Sequence, residues 1–85
     1  MAKYELVFRK SALKDLLHIP SAEVNRILEA IGGLRDDPRP PQSQKLSGSE
    51  KYRLRQGKYR ILYQIEDHVL VVTVVKIAHR NSAYN

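Results

Sequence analysis

The last half of this chain holds three apolar runs separated by turns too short for anything but hairpins. The runs are 52–55, 59–66 and 69–77, rich in Val, Ile, Tyr and Leu, with Gln56–Gly57–Lys58 and Asp67–His68 between them. Runs of this length joined by such turns form an antiparallel meander. The third run is apolar at successive positions, which predicts the central, most buried strand. One face of that sheet must be covered, and the N-terminal half has to supply the cover.

That half carries the right patterns. In 3–9, Tyr4, Leu6 and Phe8 alternate with Lys3, Glu5, Val7 and Arg9, which reads as a first strand. The segment SALKDLLH has an apolar stripe of Ala12, Leu13, Leu16 and Leu17 and predicts a short helix ended by Pro20. Ser21 is placed as the N-cap of a second helix, whose Val24, Ile27, Leu28, Ile31 and Leu34 share a face. The two helices are expected to form an antiparallel hairpin. Residues 36–44 hold three of the four prolines and read as an exposed loop. The expected fold is α+β, of order β-α-α-β-β-β, with the N-terminal strand and helical hairpin packed on a small, largely antiparallel sheet. Eighty-five residues are too few for two cores, so residues 1–85 are read as one domain.

Composition removes several function classes. The chain has no cysteine, which excludes a disulfide framework, a thiol nucleophile and a cysteine zinc site, and fits a reducing cytoplasm. The start, MAKYELVFRK, lacks an apolar core of signal-peptide length. The apolar stretch 69–75 is far too short to span a bilayer. His18, His68 and His79 are scattered without a carboxylate cluster, so no metal or other cofactor is expected.

Charge points the other way, towards a partner. Lysine and arginine outnumber aspartate and glutamate by 15 to 9, and the pI of about 9.8 is in the range of nucleic-acid binders. The excess is local: residues 1–41 carry seven basic and six acidic side chains, residues 42–85 eight and three. Alternation puts Tyr52, Leu54, Ile61, Tyr63 and Ile65 on the helix side of the sheet. Arg53, Arg55 and Arg60 then share the open face. Three guanidiniums held together repel one another, and their planar forks suit phosphate. Lys45, Lys51 and Lys58 widen the basic surface that attracts phosphate. His79, Arg80 and Tyr84 follow the last strand and are expected to emerge near the open face.

The run KLSGSEKYRLRQGKYRILYQIEDHVLVVTVVKIAHRNSAY resembles the C-terminal half of RelE-family toxins, and YELVFRKSALKDLLHIP is similar to their first strand and helix. ParE-like toxins share this fold and the strand–turn–strand motif, and the HRNSAY ending favours RelE. The resemblance implies the same fold and a ribosome-dependent mRNA endonuclease of a toxin–antitoxin pair, acting in the cytoplasm. It implies attack of a ribose 2′-OH on the adjacent phosphate without a metal, in the ribosomal A site. It assigns phosphate binding to Arg53, Arg60 and Arg80, and orientation and proton transfer to His79 and Tyr84. Arg55, beside Arg53, and the lysines at 45, 51 and 58 would contact RNA. Arginine cannot act as the base, so the base is His79, Tyr84, Glu50 or a ribosomal group. A cognate antitoxin protein is the implied partner, with the ribosome and its mRNA the implied target. Two other readings remain: a ParE-like inhibitor of DNA gyrase without nuclease activity, and an inactive RNA-binding domain.

Overall fold

The computed structural model describes residues 3–48 and 50–79. Its elements are β1 (Glu5–Phe8), α1 (Lys10–Leu16), α2 (Ser21–Gly33), β2 (Ser43–Lys45), β3 (Lys51–Gln56), β4 (Tyr59–Glu66) and β5 (Val71–His79). The strands form one sheet in the order β1-β5-β4-β3-β2. The β1–β5 pair is parallel, and the other pairs are antiparallel. Gly57 closes the β3–β4 hairpin at φ +58°, a conformation that suits a residue without Cβ.

Four elements differ from the sequence-based expectation. The loop assigned to 36–44 ends in a strand, β2, paired with β3 through Ser43↔Leu54, Gln44↔Arg53 and Lys45↔Tyr52. Three polar residues carry no periodic signal, and the exposed edge of β3 is what recruits them. The centre of the sheet is β4, with β5 one place over. The β4–β5 connection is a 3-10 turn, Asp67–Val69, followed by Leu70 at φ 54°. Finally, α2 begins at Ser21 itself, with Pro20 at the cap. Proline's fixed φ and missing N–H suit a helix entrance, so no serine cap is needed there.

The apolar character of β5 on both faces has a specific cause. Val72 and Val74 are buried, and so is Ile77, which is out of phase with them. The register slips at Leu62/Tyr63, where Tyr63 pairs with Val74 and Leu62 with Lys76. Val75 is therefore a bulge residue, and β5 exchanges its faces there.

Helix α1 begins where β1 stops covering β5. Phe8 pairs with Val74, and Arg9 N–H donates to Val74 C=O (2.9 Å). In the first turn of α1, Ser11 Oγ donates to Val75 C=O (2.6 Å), and one turn later Asp15 Oδ2 accepts from Ile77 N–H (2.9 Å). Residues four apart lie on one helix face, so α1 satisfies the backbone edge that β1 leaves exposed.

The core joins Ala12, Ile27, Ile31 and Leu34 to Leu54, Ile61, Tyr63, Ile65, Val72, Val74 and Ile77. The inward set expected from alternation in 52–55 and 59–66 is thus on the helix side. The α1 stripe is narrower than its sequence suggests, with Ala12 and Leu16 packed inward and Leu13 and Leu17 outward. Among the described residues no helix is long and apolar enough to cross a membrane.

A polar clasp holds loop 36–42 against the β4–β5 turn. Arg39 donates from Nη2 and Nη1 to the two oxygens of Asp67 (2.8 and 3.2 Å) and from Nε to Tyr52 Oη (3.0 Å). Tyr4 Oη donates to Asp67 Oδ1 (2.6 Å), and buried Tyr63 donates to Pro38 C=O (2.6 Å). Arg39 and then Tyr4 hold the Asp67 carboxyl down to about 2, from an ordinary 3.8. A depressed folded-state pKa adds stability above the ordinary carboxylate range and loses it as pH falls through about 4 to 2. The melting-temperature gap between wild type and Asp67→Asn is therefore expected to be constant above about pH 5 and to close towards pH 2. It should be small, because solvent screens the exposed pair. Thermal melts of both proteins across that range check it.

Candidate nucleic-acid interface

Directly paired residues point to the same side of a sheet. Leu54 and Ile61 are paired and buried under the helices, so their neighbours Arg55 and Arg60, also paired, occupy the other side. Their Cβ atoms are about 5 Å apart by this geometry. Arg53 is on the same side, opposite Leu62 and about 7 Å along β3 from Arg55. Arg53 Nη2 donates to Gln44 Oε1 (2.7 Å), which orients its guanidinium from the neighbouring strand. Arg53 and Arg60 are half-buried, and Arg55 is exposed.

Two hollows flank Arg55. One, of about 400 Å³, runs along β2 and is lined by Pro41, Gln42, Ser43, Gln44, Arg53 and Arg55. The other is a notch of about 100 Å³ between Arg55, Gly57, Tyr59 and Arg60. Like charges set opposite one another on a sheet cost roughly 0.2–1 kcal/mol. An anion between them removes that cost and accepts charge-assisted hydrogen bonds.

The remaining predicted residues divide. Lys51 lies on the arginine side, opposite Gln64, and Lys58 is exposed in the hairpin turn. Lys45 does not join them: it pairs with Tyr52, whose ring stacks on Tyr63 on the helix side. His79 is also displaced from the expected place. It pairs with Tyr59, next to the buried Ile61–Ile77 pair, and meets the Tyr59 ring edge-on at 5.4 Å. That is the helix-covered side, and the Val75 bulge is the reason, because it shifts the alternation of everything after it. His79 there shares a cleft with Asp15, His18 and Lys76. Glu50 is five residues, about 16 Å, along the chain from Arg55, the partner of Arg60; it lines a hollow with Arg9, Gln64 and His68, out of proton-transfer range of a phosphate on Arg60. Arg80 and Tyr84 lie outside the described residues.

Sequence reasoning missed Gln44. Its function follows from the β2–β3 register alone, and a glutamine in a proline-rich segment gives no signal of it. Among the described residues no three His, Asp or Glu side chains gather as metal ligands.

Comparison with known proteins bears on this arrangement. Toxin RelG of Mycobacterium tuberculosis is 31% identical over 95% of this chain and 95% of its own. The RelE–RelB complex of Pyrococcus horikoshii contains a chain 30% identical, with TM-score 0.84, covering 95% of this chain and 99% of that one. The intact RelBE toxin–antitoxin complex of Escherichia coli gives 29% identity and TM-score 0.76, over 89% and 95%. The model of the ParE toxin of the type II toxin–antitoxin system parDE matches residues 6–84. With this match over nearly its whole length, and a sheet, helix pair and element order shared with RelE structures, the chain belongs to the RelE/ParE superfamily of type II toxins.

Proposed function

We propose that this toxin is a metal-independent, ribosome-dependent mRNA endoribonuclease that stops translation in the cytoplasm. The observation that carries the reading is the paired Arg55 and Arg60, with Arg53 beside them, on the uncovered side of the sheet. The likeness to proteins named RelE and RelG supports it.

In this reading a ribose 2′-oxygen bonds to the adjacent phosphorus as the bond to the 5′-oxygen breaks. The 2′-OH gives up its proton, and the leaving oxygen gains one. The products are a 2′,3′-cyclic phosphate and a 5′-OH. Arg60 and Arg55 neutralise the charge that builds on the equatorial oxygens, and Arg53 holds the neighbouring backbone. They remain protonated throughout. Arg80 and Tyr84 are assigned to the same site, with Tyr84 or a ribosomal group moving the protons. His79 is better read as a positioning residue on Tyr59 than as the base. Lys51 and Lys58 add sequence-independent attraction for RNA, which weakens as salt rises. RelB antitoxins accompany the RelE chains of the two complexes above, and we infer a cognate antitoxin here.

The matched ParE description supports a second reading, inhibition of DNA gyrase. Primer extension on messages in a cell-free translation reaction separates the two. Cuts within codons that need ribosomes, and vanish in Arg60→Ala, are expected. Intact messages together with a block of gyrase supercoiling would instead establish the second reading.

A further inference from the structure

Edge strand β2 is placed from one side of the sheet and serves the other. Ser43 pairs with buried Leu54, and its N–H and Oγ both donate to Pro40 C=O (2.9 and 2.7 Å). Pro38 C=O accepts from Tyr63, and Arg39 ties the same loop to Asp67. The loop therefore fixes where β2 runs, and Gln44 falls opposite Arg53 on the arginine side. Arginine has donors only, so the amide oxygen is the end of Gln44 that meets it, 2.7 Å from Nη2. The other end, an NH2, adds donors beside the remaining guanidinium N–H groups. With Arg55 they line the hollow of about 400 Å³ along β2. The residue type is informative. Lysine, a usual guard of sheet edges, would repel Arg53 and Arg55 here. A carboxylate would hold Arg53 as firmly but cancel its charge. Glutamine directs the guanidinium and leaves the cation intact. The contact is exposed, so it bears little on stability.

We propose that Gln44 is a positioning residue for the cleavage reaction, which turns Arg53 onto the phosphate next to the scissile one, over the β2 hollow. The proposal rests on the nuclease reading and adds a second phosphate subsite to it. Arg53 lies about 7 Å along β3 from Arg55. That spacing leaves the scissile phosphate on the Arg55–Arg60 pair and brings its neighbour to Arg53. The non-bridging oxygens of a phosphodiester only accept hydrogen bonds, and the Gln44–Arg53 pair faces the hollow with donors. A message gripped at two successive phosphates cannot turn about the first, so its 2′-oxygen stays in line with the bond that breaks. Gln44 touches neither reacting atom and acts through Arg53.

Single-turnover cleavage on programmed ribosomes tests it, with messages in which each phosphate flanking the scissile one is replaced in turn by a neutral methylphosphonate. Gln44→Met is expected to cut the unmodified message about tenfold more slowly than wild type. Methylphosphonate at one flanking position should slow wild type by about tenfold but Gln44→Met by about threefold or less, because the variant has already lost that contact. Gln44→Glu should melt no earlier than wild type, since it gains an ion pair with Arg53, and yet cut at least as slowly as Gln44→Met. A glutamine with a merely structural role would show neither that opposition nor any coupling to phosphate charge. Gln44→Glu, which keeps the contact, takes the place of Gln44→Met in the coupling measurement if the latter melts early. Rates of both variants within about twofold of wild type would overturn the proposal. So would methylphosphonates that slow wild type at neither position, or that slow wild type and variant equally. Wild type that cuts no message would instead remove the nuclease reading, and the proposal with it.

Discussion

Arg60→Ala is expected to lower ribosome-dependent mRNA cleavage by about 10²–10³-fold, the usual cost of removing one donor to a developing oxyanion. Arg60 stands on the central strand, with its backbone fixed by pairing to β3 and β5. Its half-buried side chain starts from a fixed point on the sheet and has less freedom than an exposed one before substrate arrives. Preorganised charge acts fully in the transition state because it needs no reorganisation there. Arg60→Lys should recover only part of the rate, since an ammonium cannot make the bidentate contact. Arg55→Ala should cost about tenfold, because an exposed guanidinium is more screened. Single-turnover rates on programmed ribosomes test the series. Full activity in Arg60→Ala would remove the arginine pair from the reaction.

Ile61→Ala is expected to remove about 2–5 kcal/mol of stability, as truncation of a buried aliphatic side chain does. Ile61 is fully buried, and it is paired with buried Leu54 on one side and buried Ile77 on the other. For a domain of this length the total stability is about 4–13 kcal/mol. The melting temperature should fall by about 10–25 °C, read by circular dichroism. Ile61 and Arg60 are sequence neighbours on opposite faces, which gives a useful contrast. Activity lost in Ile61→Ala should return on cooling, whereas activity lost in Arg60→Ala should not.

Most of the sheet was legible because strand alternation is local. Tyr52, Leu54, Ile61, Tyr63 and Ile65 declare their face by spacing, and Arg53, Arg55 and Arg60 follow on the other. His79 was misplaced because the last strand was read as ending at residue 77, whereas β5 runs to His79 and its bulge at Val75 turns that residue to the helix side. A bulge is an agreement between two strands, and β5 alone does not announce it. Lys45 was misplaced for a related reason: its strand, β2, exists through pairing with β3. In α1 the apolar stripe predicted the helix, but the helix lies along the β5 edge and covers only part of that stripe.

By itself, then, the sequence determined both helices and the strands β1, β3, β4 and β5, the arginine side of the β3–β4 hairpin, and the family. These follow from side-chain period, turn residues and local charge. Tertiary structure alone decided the exchange of faces in β5, the Gln44 contact that orients Arg53, and the outward turn of Leu13 and Leu17. Each of these depends on a neighbour distant in the chain or on how elements pack, and neither is written into the local pattern of the residues concerned.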